Sequence, residues 1–374
     1  MTPAVSIEGF VAPGFEGVRA AFAQNFAEAK ELGAAFAAVR DGEILCNLWG
    51  GHADRARTRA WAADTLVPVF SATKPIAALI VARLAGQGLI DYEALLAQYW
   101  PQWGAGKEGL SVAQALSHQA GVCGFLEPID PALWLDPPAL AAALAALAPL
   151  WPPGSASGYH PLSWGYIAGE LVRRVSPRSL GSILREDICA PLAIDFHIGL
   201  PDSEHARVAE IQRPTEFPEL GPLTPMKRAA FLTRWAAPDR SGAQWRQVEI
   251  PSANGHGTAL AMARLYQVYA DGGKIDGQDI TGPPAFAALT RIRIEGPDLV
   301  LPSLQSFGAG VMGNAYGVYG PNRAGFGHAG WGGSMGLADP AERLSAAYVM
   351  NRQSNKLQGD PRAQRLIAAL YEAI

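Results

Sequence analysis

The chain has 374 residues, 49% hydrophobic and 17% charged, enough apolar material for a large buried core and too much for a disordered polypeptide. A formal charge of −4 and a pI near 6.0 leave no Lys/Arg excess of the kind that displaces counterions from nucleic acid, so a small-molecule substrate is the expected partner. Cys46, Cys123 and Cys189 are too few for a disulfide framework and have no metal-ligand spacing, which fits a reducing compartment.

In chain order, Met1–Gly17 lacks a basic start followed by an apolar run, so no secretory signal is expected and a cytoplasmic location is. Phe15, Val18, Phe22, Phe26 and Ala29 follow helical spacing, with Gly33 where a left-handed C-cap would close the helix. Ala34–Arg40 and Glu43–Trp49 are apolar-rich runs joined by Asp41-Gly42, a dipeptide suited to a tight turn between antiparallel strands. Helical patterns then run over Ala72–Gln87, Ser111–His118, Pro138–Ala148, Pro161–Arg174, Ser179–Ile188 and Thr258–Tyr269. The longest apolar stretch, Pro137–Leu150, falls short of the roughly 20 residues a bilayer span takes, so no membrane partner is expected. Leu344–Asn351 reads as a strand, and Asp360-Pro361 offers an N-cap and N1 proline for a last helix burying Leu366, Ile367 and Leu370. These elements predict one α/β (α+β) unit over residues 1–374. An antiparallel sheet from both termini (1–70 and 300–374) is flanked by helices, with a mainly helical lobe (71–299) inserted and the active site in the cleft between. Nothing in the chain indicates an oligomeric state.

Ser71-Ala72-Thr73-Lys74 is the first chemistry-bearing stretch. Pro75 fits without losing a hydrogen bond if Ala72 opens the helix, which makes Ser71 the N-cap and sets Lys74 one turn on, near the hydroxyl. Ile76–Leu84 is apolar all round except Arg83, the mark of a buried helix. Burial disfavours ammonium, so Lys74 becomes a candidate base for the Ser71 proton. With 18 serines and 6 lysines in 374 residues, chance yields about 0.3 such pairs, so placement at a buried helix start is what singles this one out. A small-residue loop, Pro153 to Gly158, then presents Tyr159, and Gly325–Gly336 (GFGHAGWGGSMG) is rich enough in glycine for close backbone approach. Within it, Gly332-Gly333-Ser334-Met335-Gly336 fits G-x-S-x-G, but no histidine follows it as an α/β-hydrolase requires. Gly325-x-Gly327-x-x-Gly330 has the dinucleotide-binding spacing with no helix after it.

The chain resembles the serine β-lactamase and penicillin-binding protein superfamily, nearest to family VIII carboxylesterases and their class C β-lactamase relatives. Ser71-Ala72-Thr73-Lys74 matches S-x-x-K, Tyr159-His160-Pro161 matches Y-x-N in part, and His328-Ala329-Gly330 matches the K-T-G strand, in order over most of the chain. The resemblance implies a β-lactamase-like fold; none of the seven histidines forms an H-E-x-x-H pattern, so no metal is expected, and no cofactor is either. The resemblance also implies acylation of Ser71, proton transfer by Lys74 and Tyr159, and an oxyanion hole from the Ser71 and Trp331 N–H groups. A second register aligns Trp331-Gly332-Gly333 with the third motif and moves that donor to Ser334. Substrate contacts are expected from His328, Gly330, Trp331 and His160, with His118 and His256 as further cleft candidates. Two departures bear on substrate: Pro161 stands where an asparagine would meet an amide, and His328 where a lysine would meet a carboxylate. A small neutral ester is therefore expected over a β-lactam. A β-lactamase, D,D-peptidase or D-aminopeptidase, and a non-catalytic acyl-compound binder, are the alternatives.

Overall fold

A computed structural model describes residues 5–28, 30–240 and 242–374; Ala29 of the first helical pattern lies outside them. Asp41 and Gly42 adopt the positive φ values of a tight turn, 51° and 82°, and fold Gly33–Arg40 against Glu43–Gly51 as an antiparallel hairpin. Gly33–Arg40 pairs on its other side with Leu344–Met350, in register from Leu344 opposite Arg40 to Met350 opposite Ala34. The two ends of the sequence thus share one sheet. Its nine strands run Ile7–Val11, Glu43–Gly51, Gly33–Arg40, Leu344–Met350, Met335–Asp339, Phe326–Ala329, Met312–Gly313, Gln305–Phe307 and Ile294–Gly296, every neighbouring pair antiparallel.

Alternation across the two central strands builds a core on each face of the sheet. Phe36, Ala38, Leu344, Ala346 and Tyr348 pack with Val18 and Phe22 of the helix Glu16–Ala27 and with Leu366, Ile367 and Leu370 of the helix Pro361–Glu372. Ala35, Ala37, Val39, Ala347 and Val349 face Met262 and Tyr266 of the helix Ala259–Ala270 instead. The last helix starts as expected, with the Asp360 side chain accepting from the Arg362 N–H and Pro361 in its first turn. Each leucine it buries contributes on the order of 1.5–3 kcal/mol. The first helix, however, ends at Ala27 with Glu28 as its cap. Gly33 is no C-cap but a strand residue, where a Cβ would lie 2.2 Å from His52 O and 2.4 Å from the Trp61 ring.

The inserted segment wraps around the helix Thr73–Gly86, eleven of whose residues are buried, as its all-round apolar sequence demands. The helices Pro137–Ala146 and Ser163–Val175 pack beside it. The second starts two residues later than Pro161, behind Leu162. The edge strand Ile294–Gly296 joins the large sheet from before residue 300. The three cysteines are free and buried, and no helix among the described residues is long and apolar enough to cross a membrane.

Candidate active site

The first motif begins on a forced turn. Val69 is anchored by its N–H to Gly255 O at 2.9 Å, and Phe70 is then driven to φ 50°, a left-handed conformation costly for a bulky residue and tolerated where the surroundings over-determine it. Those surroundings are the rings of Trp245 and Trp331, 6.5 and 6.2 Å from the Phe70 ring, and Thr73 Oγ1, which donates to Phe70 O at 2.5 Å and accepts from the Gly255 N–H at 3.0 Å. Phe70–Ala72 forms a 3₁₀ turn and the α-helix starts at Thr73. Ser71 is therefore not the N-cap: Ala72 occupies that place and makes no side-chain cap. The Ser71 hydroxyl is released from capping, and Pro75, third in the helix, still removes no helical hydrogen bond.

Lys74 is fully buried. Its Nζ lies 3.1 Å from Ser71 Oγ, 2.9 Å from Tyr159 OH, 2.8 Å from Pro161 O and 3.0 Å from Ser252 O. The two carbonyls can only accept, so they engage two N–H groups. A neutral amine then has its lone pair left for Ser71 or Tyr159. Burial holds the Lys74 ammonium well below the usual lysine range, which makes that neutral form accessible. Tyr159 is 5% exposed, and burial pushes its phenol well above the ordinary range, so it keeps its proton at neutral pH.

Asp298 Oδ1 accepts from the Tyr159 N–H at 3.0 Å, while the ring stacks on Phe307 at 6.4 Å and meets His118 at 4.8 Å. His160, expected among the substrate contacts, is not part of the cavity lining. It is fully buried behind Tyr159, its Nδ1–H donating to Gly158 O at 2.6 Å and its Nε2 accepting from the Val122 N–H at 3.1 Å. His118 Nδ1 in turn accepts from the His160 N–H at 3.1 Å. Both histidines brace the tyrosine loop.

His328 and Ala329 end the strand Phe326–Ala329, whereas Gly332 and Gly333 lie in the following turn with φ of 89° and 128°. Only the His328-Ala329-Gly330 register puts the third motif on a strand. At Gly330 a Cβ would stand 2.1 Å from Ser334 Oγ and 2.2 Å from Val69 O, so a glycine is what lets this strand end approach the turn that carries Ser71. Ser334 Oγ is committed to Val69 O at 2.8 Å, which explains the G-x-S-x-G match as a structural contact. The backbone N–H groups of Ser71 and Trp331 find no acceptor among the described residues. The His328 ring is 5.9 Å from Tyr159. Its Nδ1–H donates to Ala329 O at 2.8 Å, and Nε2 has no partner among the described residues. Burial and the nearby Lys74 push its pKa down to about 3, so the imidazole is neutral near pH 7.

A cavity partly open to solvent connects these groups. Ser71, Tyr159, His328 and Trp331 line it; Gly330 and His160 do not. Its walls are mostly apolar, with Leu220, Phe231, Leu301 and Met312 among them.

Residues 18–370 match the family model described as Beta-lactamase. The chain belongs to the beta-lactamase family. It is 38% identical over 359 residues to the esterase/beta-lactamase LipL of Mycobacterium tuberculosis, covering 92% of this chain and 82% of LipL. A penicillin-binding protein homologue from Caulobacter crescentus superposes with a TM-score of 0.96 at 51% identity, over 99% of this chain and all of the other. A family VIII carboxylesterase superposes with a TM-score of 0.92 at 42% identity and the same coverage. The fold is therefore beta-lactamase-like, and the protein is a serine hydrolase of the esterase/beta-lactamase kind.

Some site residues of this beta-lactamase-family hydrolase carry no sequence signal. Ser252 contributes only a carbonyl, and Asp298, which fixes the Tyr159 backbone, follows an unremarkable Gly-Pro pair. The cavity wall from Phe217 to Arg240 comes from a Pro-rich stretch with no periodicity to reveal it.

Proposed function

We propose that the protein is a carboxylesterase that hydrolyses small carboxylic esters through an acyl-enzyme on Ser71. The observation that carries this reading is the amine of Lys74 at 3.1 Å from Ser71 Oγ, two of its N–H groups occupied by the carbonyls of Pro161 and Ser252. As Oγ attacks the ester carbonyl, its proton passes to Nζ, and the Tyr159 hydroxyl relays a proton to the departing alcohol. The unpaired N–H groups of Ser71 and Trp331 are suited to hold the carbonyl oxygen as it gains charge. Water then attacks the acyl-enzyme with the same groups acting in reverse.

Pro161 offers no amide contact, and a neutral His328 offers a carboxylate no charge at the strand end, which favours an ester over a carboxylated β-lactam. The name borne by the family VIII carboxylesterase neighbour leans the same way, while that of LipL gives both activities. Hydrolysis of 4-nitrophenyl butyrate and of a chromogenic cephalosporin, assayed on one preparation at pH 7, tests this. kcat/KM is expected to favour the ester by at least about 10²-fold, equivalent to about 2.7 kcal/mol. Comparable efficiencies would replace the esterase reading with a lactamase.

A further inference from the structure

Beside the catalytic cavity lies a second one that shares Phe70 and Arg240 with it. Arg55, Arg213, Arg240 and Arg246 all line this second space. No ion pair joins any of the four to a carboxylate among the described residues. Two carboxylates, Glu210 and Asp239, also line the cavity, so its four arginines outnumber its acids by two; Glu210 Oε2 accepts from the Arg55 backbone N–H at 3.0 Å. Arg55 and Arg213 are exposed; Arg240 and Arg246 are half-buried. The Arg240 guanidinium stacks over the Trp331 ring at 4.6 Å, and Trp331 meets Phe70, the neighbour of Ser71, at 6.2 Å. Burial and the charge of Arg213 press the Arg240 pKa down to about 10, so it remains a cation at neutral pH. Trp245, 3% exposed, lines the same space with a buried indole N–H that has no partner among the described residues. His256 Nε2 is likewise unpaired there and offers only a lone pair, so the charged donors present are the arginines.

Half-buried guanidinium groups in excess over the neighbouring carboxylates, next to an orphan donor, are stabilised by an anion that supplies both charge and acceptor oxygens. Because the two cavities share Phe70 and Arg240 in their linings, a single molecule that places its ester bond in the first can place an anion in the second. We propose that this space is a carboxylate-binding subsite, read by Arg240, Arg246 and Trp245, and that the enzyme prefers esters carrying a carboxylate remote from the scissile bond, such as monoesters of short dicarboxylic acids. The proposal deepens the esterase reading and rests on it.

The test compares mono-4-nitrophenyl glutarate with 4-nitrophenyl butyrate, and 4-butyryloxybenzoate with its methyl ester, so that the carboxylate sits on the acyl side in one pair and the leaving side in the other. For the wild type, kcat/KM is expected to favour the anionic member of at least one pair by about tenfold. In Arg240→Met and Arg246→Met that ratio is expected to fall at least about fivefold, chiefly through KM. Calorimetric titration of Ser71→Ala with the same compounds gives a readout independent of turnover. A ratio within twofold of wild type in both variants, or equal losses on anionic and neutral esters, would overturn the subsite and leave Arg240 as a clamp on Trp331. No hydrolysis of any ester would instead remove the esterase reading, with the titration still deciding whether the carboxylate binds.

Discussion

Changing Tyr159 to phenylalanine removes one oxygen and little else. The ring keeps its stack on Phe307 and its contact with His118. Lys74 loses the hydroxyl at 2.9 Å but retains Ser71 Oγ, Pro161 O and Ser252 O. One hydrogen bond among four is lost, with no new cavity larger than an oxygen, so the stability cost should be about 1 kcal/mol. The kinetic cost should be far larger, because a positioned proton donor contributes about 10²–10⁴-fold, or about 2.7–5.4 kcal/mol of barrier. Denaturant unfolding measures the stability cost, and steady-state hydrolysis of 4-nitrophenyl butyrate measures the kinetic one. A folded Tyr159→Phe protein with kcat within threefold of wild type would remove the phenol from proton transfer and leave Lys74 as the sole relay.

A base that must be neutral makes the rate rise with pH as its proton leaves. With Lys74 held well below its usual range, the acid limb of kcat/KM should therefore fall well below pH 10, and a limb at the ordinary lysine pKa would contradict its burial as the activating cause. His328, neutral down to about pH 3, should give cephalosporin hydrolysis no rise between pH 8 and 5; a rise with an imidazole-like midpoint would mean the ring gains a proton there and grips the carboxylate. Gly330→Ala should abolish ester hydrolysis and lower the thermal midpoint, since the new Cβ meets Val69 O at 2.2 Å; near-normal kcat in that variant would separate the strand end from the nucleophile turn.

Much of the sheet was legible because its signals are local. Asp41-Gly42 marks the hairpin, and Asp360-Pro361 marks the last helix. The Ser71–Lys74 pair was legible for a similar reason, since three-residue spacing at a buried helix start brings the two side chains together whatever the details of the turn. The turn itself was not. Phenylalanine is no turn residue, and Phe70 reaches its left-handed conformation only because Gly255, Trp245 and Trp331, all distant in sequence, hold it there together with Thr73, itself anchored to Gly255. Gly33 resembled a helix cap but is required by the closeness of His52 and Trp61, a contact invisible to local pattern. His160 stood inside a motif, yet its neighbour Tyr159 faces the cavity and the imidazole turns to the backbone on the other side.

Ser71 as the nucleophile is tested most directly by intact-mass spectrometry and peptide mapping after exposure to a serine-reactive 4-nitrophenyl phosphonate. One phosphonyl adduct is expected, on the peptide containing Ser71. It should be absent from Ser71→Ala, and Ser334→Ala should still acquire it as long as the variant stays folded, since Ser334 is occupied with Val69 O. An adduct that persists in Ser71→Ala, or one that maps to Ser334, would contradict the assignment.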